Sequence, residues 1–321
     1  MTIRCLIIGF GKMGKAHLNA VIALKPDALA VYTPKIVSLD FNYDHTQFFD
    51  TSLEETVQTF RPTHVIVSSP VHTLVPISLE LIALGVRQLL VEKPVTLSSV
   101  EGAILAAAVK ASGVNLYIGY NRRFYSSVRT AIRLIADAGE KIESVSFEFN
   151  ELFLDPLGPS SNYSPAVCER WVIANSMHVI DSAFFPVGLP NPSSSVFFRS
   201  GGLTWHPVGS SFVGAGTTTL GKPFAYHANW STPGRWSFQW MTSSARYVFQ
   251  PLEKLAVMRR GNFILEDVSL EGELDQLFKP GVYLQNRAFL FGGDEASELV
   301  SLEYALSLVS LGECIAGYSE S

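Results

Sequence analysis

The hydrophobic positions of this chain fall into two textures. Up to about residue 120 they come as short unbroken blocks between longer amphipathic stretches. The block IRCLII (3–8) ends on glycine, as a strand buried on both faces does. KIVSLD (35–40), HVIVSS (64–69), VRQLLVE (86–92) and VNLYIG (114–119) predict further strands, and a helix runs from about Gly14 to Leu24. In LSSVEGAILAAAVKASG (97–113), Ser98 and Glu101 form a capping box and Gly113 takes the helix C-terminal position. Strands alternating with helices in this way predict an α/β, doubly wound parallel sheet.

Beyond residue 120 the period changes. IESVSFEFN (142–150) alternates polar and apolar residues, as a strand with one covered face does. SVFFRS (195–200), FAYHANW (224–230), RWSFQWM (235–241), ARYVFQ (245–250) and KLAVMRR (254–260) are short runs broken by Gly, Pro or Ser turns. Helices fall near 128–138, around His178 and over 300–316, while DPLGPSSNYSP (155–165) and PNPSSS (190–195) read as loops. The expectation is two domains: a doubly wound α/β domain over 1–120 and an α+β domain over 121–321 with an open, mostly antiparallel sheet.

Composition narrows the function classes. A chain of 321 residues with 47% hydrophobic and 17% charged residues is a globular protein large enough for two cores. Its net charge of −5 supplies no attraction for nucleic acid or an anionic membrane. Three scattered cysteines, Cys5, Cys168 and Cys314, fit a reducing, cytoplasmic setting without disulfides. The opening MTIRCLIIGFG is too short for a membrane span and has no signal-peptide cleavage pattern.

The first motif with chemistry is GFGKMG, Gly9, Phe10, Gly11, Lys12, Met13 and Gly14, in G-x-G-x-x-G spacing. It follows a strand and opens a helix, the context that gives the pattern meaning. The first glycine allows the tight turn, the second lets backbone approach a pyrophosphate, and the third permits close helix–strand packing. Asp40, at the end of the expected second strand, is placed to accept hydrogen bonds from the adenosine ribose and to repel a 2′-phosphate. No Arg or Lys follows it directly, so NAD is favoured with NADP possible; Asp44 or a residue of the long connection are the alternatives for that position.

Three more stretches read together with the glycines: Ser69-Pro70 and His72 followed by Glu92-Lys93-Pro94, YIGYNRRF at 117–124, and NSMHVID at 175–181. In this combination the chain resembles the Gfo/Idh/MocA oxidoreductases along its whole length, including KPGVYLQNRAFL (279–290). The resemblance implies a Rossmann domain binding NAD(H) or NADP(H) and a second domain whose open sheet forms a homodimer or homotetramer interface. It also implies hydride transfer to or from a sugar, cyclitol or sugar derivative. Ser69, Pro70, His72, Glu92 and Lys93 then line the cofactor, Asn121 and Arg122 lie by nicotinamide and substrate, and Pro94 matches a proline that a cis bond precedes in some relatives. Lys93 matches the family's lysine beside the substrate hydroxyl and His178 its histidine acid/base. One departure stands out: the aspartate expected four residues before the histidine is Ala174.

An acid/base works best with a pKa near ambient pH, which histidine has and lysine reaches when burial or a neighbouring positive charge disfavours its ammonium. Lys93 and His178 are therefore expected to share the proton work. Asp181, three residues after His178 on a helix, is either a partner for the imidazolium or a cap or solvent-facing charge. Asn175 can offer a hydrogen bond but no charge. Arg122 and Arg123 are candidates for a substrate carboxylate or phosphate, and Arg129 with Arg133 for a solvated helix face. Arg170 and Trp171 are candidate substrate contacts, with core packing an equal explanation for the tryptophan. Trp205, Trp230, Trp236 and Trp240 fit sheet packing or a subunit interface better than sugar binding. Neither His206, His227 nor the cysteines have metal-ligand spacing, so no metal is expected. The competing function is a regulatory protein that keeps the dinucleotide fold without hydride transfer.

Overall fold

The computed structural model describes residues 2–34, 45–151 and 158–318. In chain order its elements are β1 Arg4–Ile8, α1 Lys12–Leu24, β2 Ala28–Tyr32, β3 Thr46–Phe49, α2 Leu53–Phe60, β4 His64–Val67, α3 Val71–Ala83, β5 Gln88–Val91, α4 Ser99–Ser112 and β6 Asn115–Ile118. Then come α5 Ser126–Asp137, β7 Ser144–Phe149, α6 Pro165–Cys168, α7 Met177–Phe184, β8 Pro190–Ser200, β9 Ser211–Thr218, β10 Pro223–Asn229, β11 Trp236–Met241, β12 Ala245–Phe249, β13 Ala256–Arg259 and β14 Glu266–Asp267. The chain closes with α8 Glu273–Leu277, α9 Val282–Phe291, β15 Val300–Ser301 and α10 Leu302–Ala316. It divides into two compact units: 1–124 with 274–306, and 125–273 with 307–321.

The first unit is a Rossmann domain. Its seven-stranded sheet has the order β15-β6-β5-β4-β1-β2-β3, in which β1 to β6 are parallel. The middle strands are buried along their length because helices cover both faces, so they are unbroken apolar runs. Helix α4 starts on its Ser98 cap, whose Oγ accepts the Glu101 N–H, and Gly113 ends the helix at φ +66°. The reciprocal half of the expected box is replaced by Thr96, whose Oγ1 accepts the Ser98 N–H and donates to the Glu101 carboxylate.

Two expectations are corrected here. The strand beside β1 is ALAVY, not KIVSLD: Arg4 to Ile8 pair in parallel with Ala28 to Tyr32. Two short apolar runs compete for that place, and the one that follows α1 after a tight Lys25 αL turn takes it. Residues 35–40, Asp40 among them, lie outside the described residues, as does Asp44. Secondly, residues 274–306 cluster with the first unit rather than continuing the second. Their Phe289 and Leu290 pack into the core of Ile3, Cys5, Ile7, Leu18 and Val21, and β15 adds an antiparallel edge to β6.

The second unit is built on an eight-stranded sheet of order β14-β13-β12-β11-β7-β10-β9-β8. It is mostly antiparallel, with β7 and β10 running parallel. One face is covered by rings: Phe147, Phe149, Phe212, Phe238 and Trp240 are buried, each burial stabilising by about 2 kcal/mol. Helix α7 lies on that face, with Phe184 meeting the ring of Phe147 at 5.3 Å and the Ala183 carbonyl accepting from Trp240 Nε1 at 3.3 Å. The segment PNPSSS is strand, not loop. It opens β8, an edge strand with a bulge between Pro190 and Ser195, where prolines cost no inward ladder bond. Strand β9, SFVGAGTT, carries no sequence signal because two glycines interrupt its apolar positions.

Candidate active site

In a parallel sheet the carboxyl ends of the strands share one edge, and loops leaving that edge make the ligand crevice. Gly9 after β1, Ser69 after β4, Lys93 after β5 and Asn121 after β6 all follow such ends. The glycine turn is shaped by contacts that a side chain would break. Gly9 has φ +95°, and a Cβ there would sit 2.8 Å from the Ser68 carbonyl oxygen. At Gly14 a Cβ would overlap the Gly9 carbonyl, so α1 can press against the turn only through glycine. At Gly11 a Cβ would meet nothing within 4 Å.

That open position is the N-cap of α1, and no side chain caps the helix there. The first-turn N–H groups and the positive end of the helix dipole are thus presented with space in front of them, which suits a pyrophosphate. Phe10 and Lys15 close the flank, the Lys15 ammonium 5.1 Å from the Phe10 ring centre and Phe10 edge-on to Phe48 at 5.6 Å. The position at the end of β2, where ribose recognition is expected, carries Thr33 rather than an acid; its N–H donates to the Phe49 carbonyl at 3.0 Å.

Around the same edge, Ser69 Oγ accepts from Thr73 Oγ1 at 2.8 Å, Pro70 caps α3 and His72 is exposed in its first turn. Lys93 is half-buried and the Lys93–Pro94 bond is cis. Glu92 is buried, and its Oε1 meets the Nε2 of buried His17 at 2.9 Å, a partner that the sequence did not suggest. Asn121 is buried in a 3-10 turn over Asn121–Phe124 and donates from Nδ2 to the Pro280 carbonyl at 2.8 Å. Of the two arginines there, Arg122 is half-buried, whereas Arg123 is buried with its guanidinium 4.6 Å from the ring centre of Tyr304.

In the second unit His178 is buried in α7, directly after a π-turn over Val172–Ser176. Such turns break the regular 3.6 period and recur at functional positions. The consequence is visible at Asn175. Its side chain is diverted to Glu151, which accepts from Asn175 Nδ2 at 2.8 Å, Ser176 Oγ at 3.4 Å and Trp236 Nε1 at 3.2 Å. Glu151, just beyond β7, is thus a carboxylate bonded to the turn that lacks an aspartate at Ala174. Nothing in the sequence marked it, because it lies 24 residues from Asn175. Asp181 is fully buried on α7, which removes the solvent-facing reading of that residue.

Arg170 holds its guanidinium 4.7 Å from the Tyr318 ring centre, and the Tyr318 hydroxyl accepts the Val172 N–H at 3.2 Å. Trp171 is buried edge-on to Tyr163 and Trp205, so packing accounts for it. Trp205 and Trp230 stack at 5.6 Å beside His206, whose Nε2 faces the Tyr318 hydroxyl at 2.7 Å. Burial pushes the His206 ring below the usual histidine range. The neutral ring donates from Nδ1 to the Gly209 carbonyl at 2.7 Å and accepts the tyrosine proton on Nε2. Arg133 reaches Glu271 at 3.9 Å with both side chains exposed, a solvated pair. Among the described residues no group of three or more His, Cys, Asp or Glu side chains is arranged to hold a metal ion, and no helix is long and apolar enough to cross a membrane.

Residues 3–120 match a family described as oxidoreductases with an NAD-binding Rossmann fold. No curated protein sequence matches the chain. Among solved structures, the UDP-N-acetylglucosamine 3-dehydrogenase of Acidithiobacillus ferrooxidans superposes with a TM-score of 0.72 at 15% identity, covering 100% of this chain and 98% of that one. An oxidoreductase from Agrobacterium radiobacter in complex with NAD+, L-tartaric acid and magnesium gives 0.74 at 13% identity, over 98% and 97%. The super-repressor mutant of Gal80p from Saccharomyces cerevisiae gives 0.76 at 15% identity, over 99% and 95%. At such identities these likenesses establish the two-part fold.

Proposed function

We propose, for a chain whose residues 3–120 match the model of the Gfo/Idh/MocA oxidoreductases with an NAD-binding Rossmann fold, that it transfers hydride between a nicotinamide cofactor and a secondary alcohol or ketone of a sugar, cyclitol or sugar derivative. The observation that carries this reading is the common sheet edge of the open Gly11 turn and the lysine after β5. A bound nicotinamide supplies the hydride acceptor or donor. The backbone of Gly9 to Gly14 and the α1 N-terminus hold the cofactor's phosphates.

Oxidising a secondary alcohol also needs a base for the hydroxyl proton, and the reverse reaction an acid. Lys93 and His178 are assigned this proton work. Asn121 and Arg122 are assigned to substrate, with Arg123, Arg170 and Trp171, each engaged with an aromatic ring, as the further candidate contacts. NAD is the expected cofactor, with NADP discrimination left to residues other than an acid at the β2 end. The three free thiols accord with a cytoplasmic setting. The open face of the second unit's sheet presents Val196, Phe198 and Val213, 71%, 66% and 44% exposed. Apolar side chains this exposed support a homodimer or homotetramer formed through that face.

The test is to follow nicotinamide absorbance with NADH or NADPH and a panel of keto-sugars, cyclitols and nucleotide sugars. Turnover that Lys93→Met abolishes, with NADH still bound, supports the enzyme. Ala174 favours one other reading, a dinucleotide-dependent regulator. Tight NADH binding without turnover on any substrate, unaffected by Lys93→Met or His178→Ala, would establish that reading instead.

A further inference from the structure

Behind the lysine lies a buried polar network whose three members are far apart in sequence. His17, on the inner face of α1, is fully buried, as is Asn286 of α9, and Glu92 is 8% exposed. His17 Nε2 meets Glu92 Oε1 at 2.9 Å, and Nδ1 meets Asn286 Oδ1 at 2.9 Å. The amide orientation of Asn286 follows from its second bond, Nδ2 donating to the His17 carbonyl at 3.5 Å. Its oxygen therefore faces the ring, so His17 carries a proton on Nδ1 and donates it to Asn286. The other ring nitrogen stands at hydrogen-bond distance from the Glu92 carboxyl. Room for that carboxyl is made by Gly119 at the end of β6, where a Cβ would come within 3.0 Å of Glu92 Oε1.

A buried pair of this kind adds little net stability, because desolvation consumes most of the Coulombic gain; what it supplies is a fixed geometry. Glu92 adjoins Lys93, and its own N–H completes the ladder to the Val67 carbonyl at 2.8 Å. The carboxyl is the handle by which α1, three residues beyond the last glycine of the cofactor turn, holds the strand end that carries the lysine.

We infer that His17 is a positioning residue for Lys93, acting through Glu92, with Asn286 setting the ring's tautomer. The inference rests on the oxidoreductase reading for its meaning, but its test needs no substrate. His17→Gln keeps a donor at the Nε2 position toward Glu92 and loses the contact to Asn286. His17→Asn does the reverse, and both remove similar ring volume. The probe is the rate at which formaldehyde and cyanoborohydride methylate Lys93 in the full chain, read by peptide mass spectrometry, alongside melting curves and NADH binding.

His17→Asn and Glu92→Gln are expected to change that rate about tenfold, the worth of one charge-assisted hydrogen bond. His17→Gln is expected to stay within about twofold of wild type. Equal changes in the Gln and Asn variants, or wild-type rates in all three, overturn the inference. If Glu92→Gln fails to fold, the two His17 variants still decide the matter. Failure of wild type to bind NADH strikes the oxidoreductase reading separately and leaves the labelling result standing.

Discussion

Gly11 and Gly14 stand three residues apart in one motif, yet the structure assigns their substitution by alanine opposite consequences. At Gly14 the helix propensity of alanine contributes about 1 kcal/mol in favour. Against that, the methyl group falls on the Gly9 carbonyl, a backbone atom held by the strand–turn geometry rather than a movable side chain. Overpacking against an unyielding neighbour costs about 1–3 kcal/mol, so Gly14→Ala should lose up to about 2 kcal/mol net and melt up to roughly 8 °C lower. At Gly11 the methyl group enters open space at an extended N-cap residue. The poorer cap and the stiffer unfolded chain offset each other within about 0.5 kcal/mol. The same methyl stands where the pyrophosphate must approach the N–H groups, so NADH affinity should fall at least about tenfold, or about 1.4 kcal/mol. Urea or thermal unfolding and NADH fluorescence titration of the two variants read stability and binding separately. Wild-type NADH affinity in folded Gly11→Ala would refute the assignment of this turn to the cofactor phosphates.

Three further outcomes are expected. Because burial holds the His206 ring below its ordinary value of 6.5, the native state keeps it neutral while the unfolded chain takes up a proton. Stability from this group is therefore full above that pH and is lost as the pH falls from there towards the folded-state value, with a slope of at most about 1.4 kcal/mol per pH unit; His64, lowered by burial, adds the same sign. Urea midpoints across that range should slope less in His206→Gln than in wild type, and equal slopes would reject the account. Glu151→Gln removes the charge that collects donors from Asn175, Ser176 and Trp236, and is expected to lower turnover about tenfold with NADH affinity unchanged; unaltered turnover would remove Glu151 from the catalytic framework. Phe198→Asp, on the open sheet face, should leave a monomer in light scattering, and an assembly of unchanged size would place the interface elsewhere.

Much of the first unit was legible because local signals there agree with the tertiary arrangement. Buried parallel strands must be apolar throughout, so β1, β4 and β5 announce themselves, and Ser98 and Gly113 bracket α4. The second strand did not, because ALAVY and KIVSLD are equally good strands in isolation. Only the ladder from Arg4–Ile8 to Ala28–Tyr32 chooses between them. With that choice the end of β2 carries Thr33, while Asp40 lies outside the described residues. In the second unit the alternating strands were readable, whereas β9 and the proline-bearing start of β8 owe their strand state to neighbours at the sheet edge.

The glycine turn and the class of each unit could be read from the chain alone, because each is written in a local pattern, whereas the candidate lysine and histidine came from the family resemblance. The company those residues keep emerged with the folded arrangement. His17 meets Glu92 across 75 positions and Asn286 across 269. Glu151 meets the turn before His178, and residues 274–306 return to the first unit. Hydrogen bonds and buried packing act over a few ångströms of space and are indifferent to separation along the chain, so no local pattern records them.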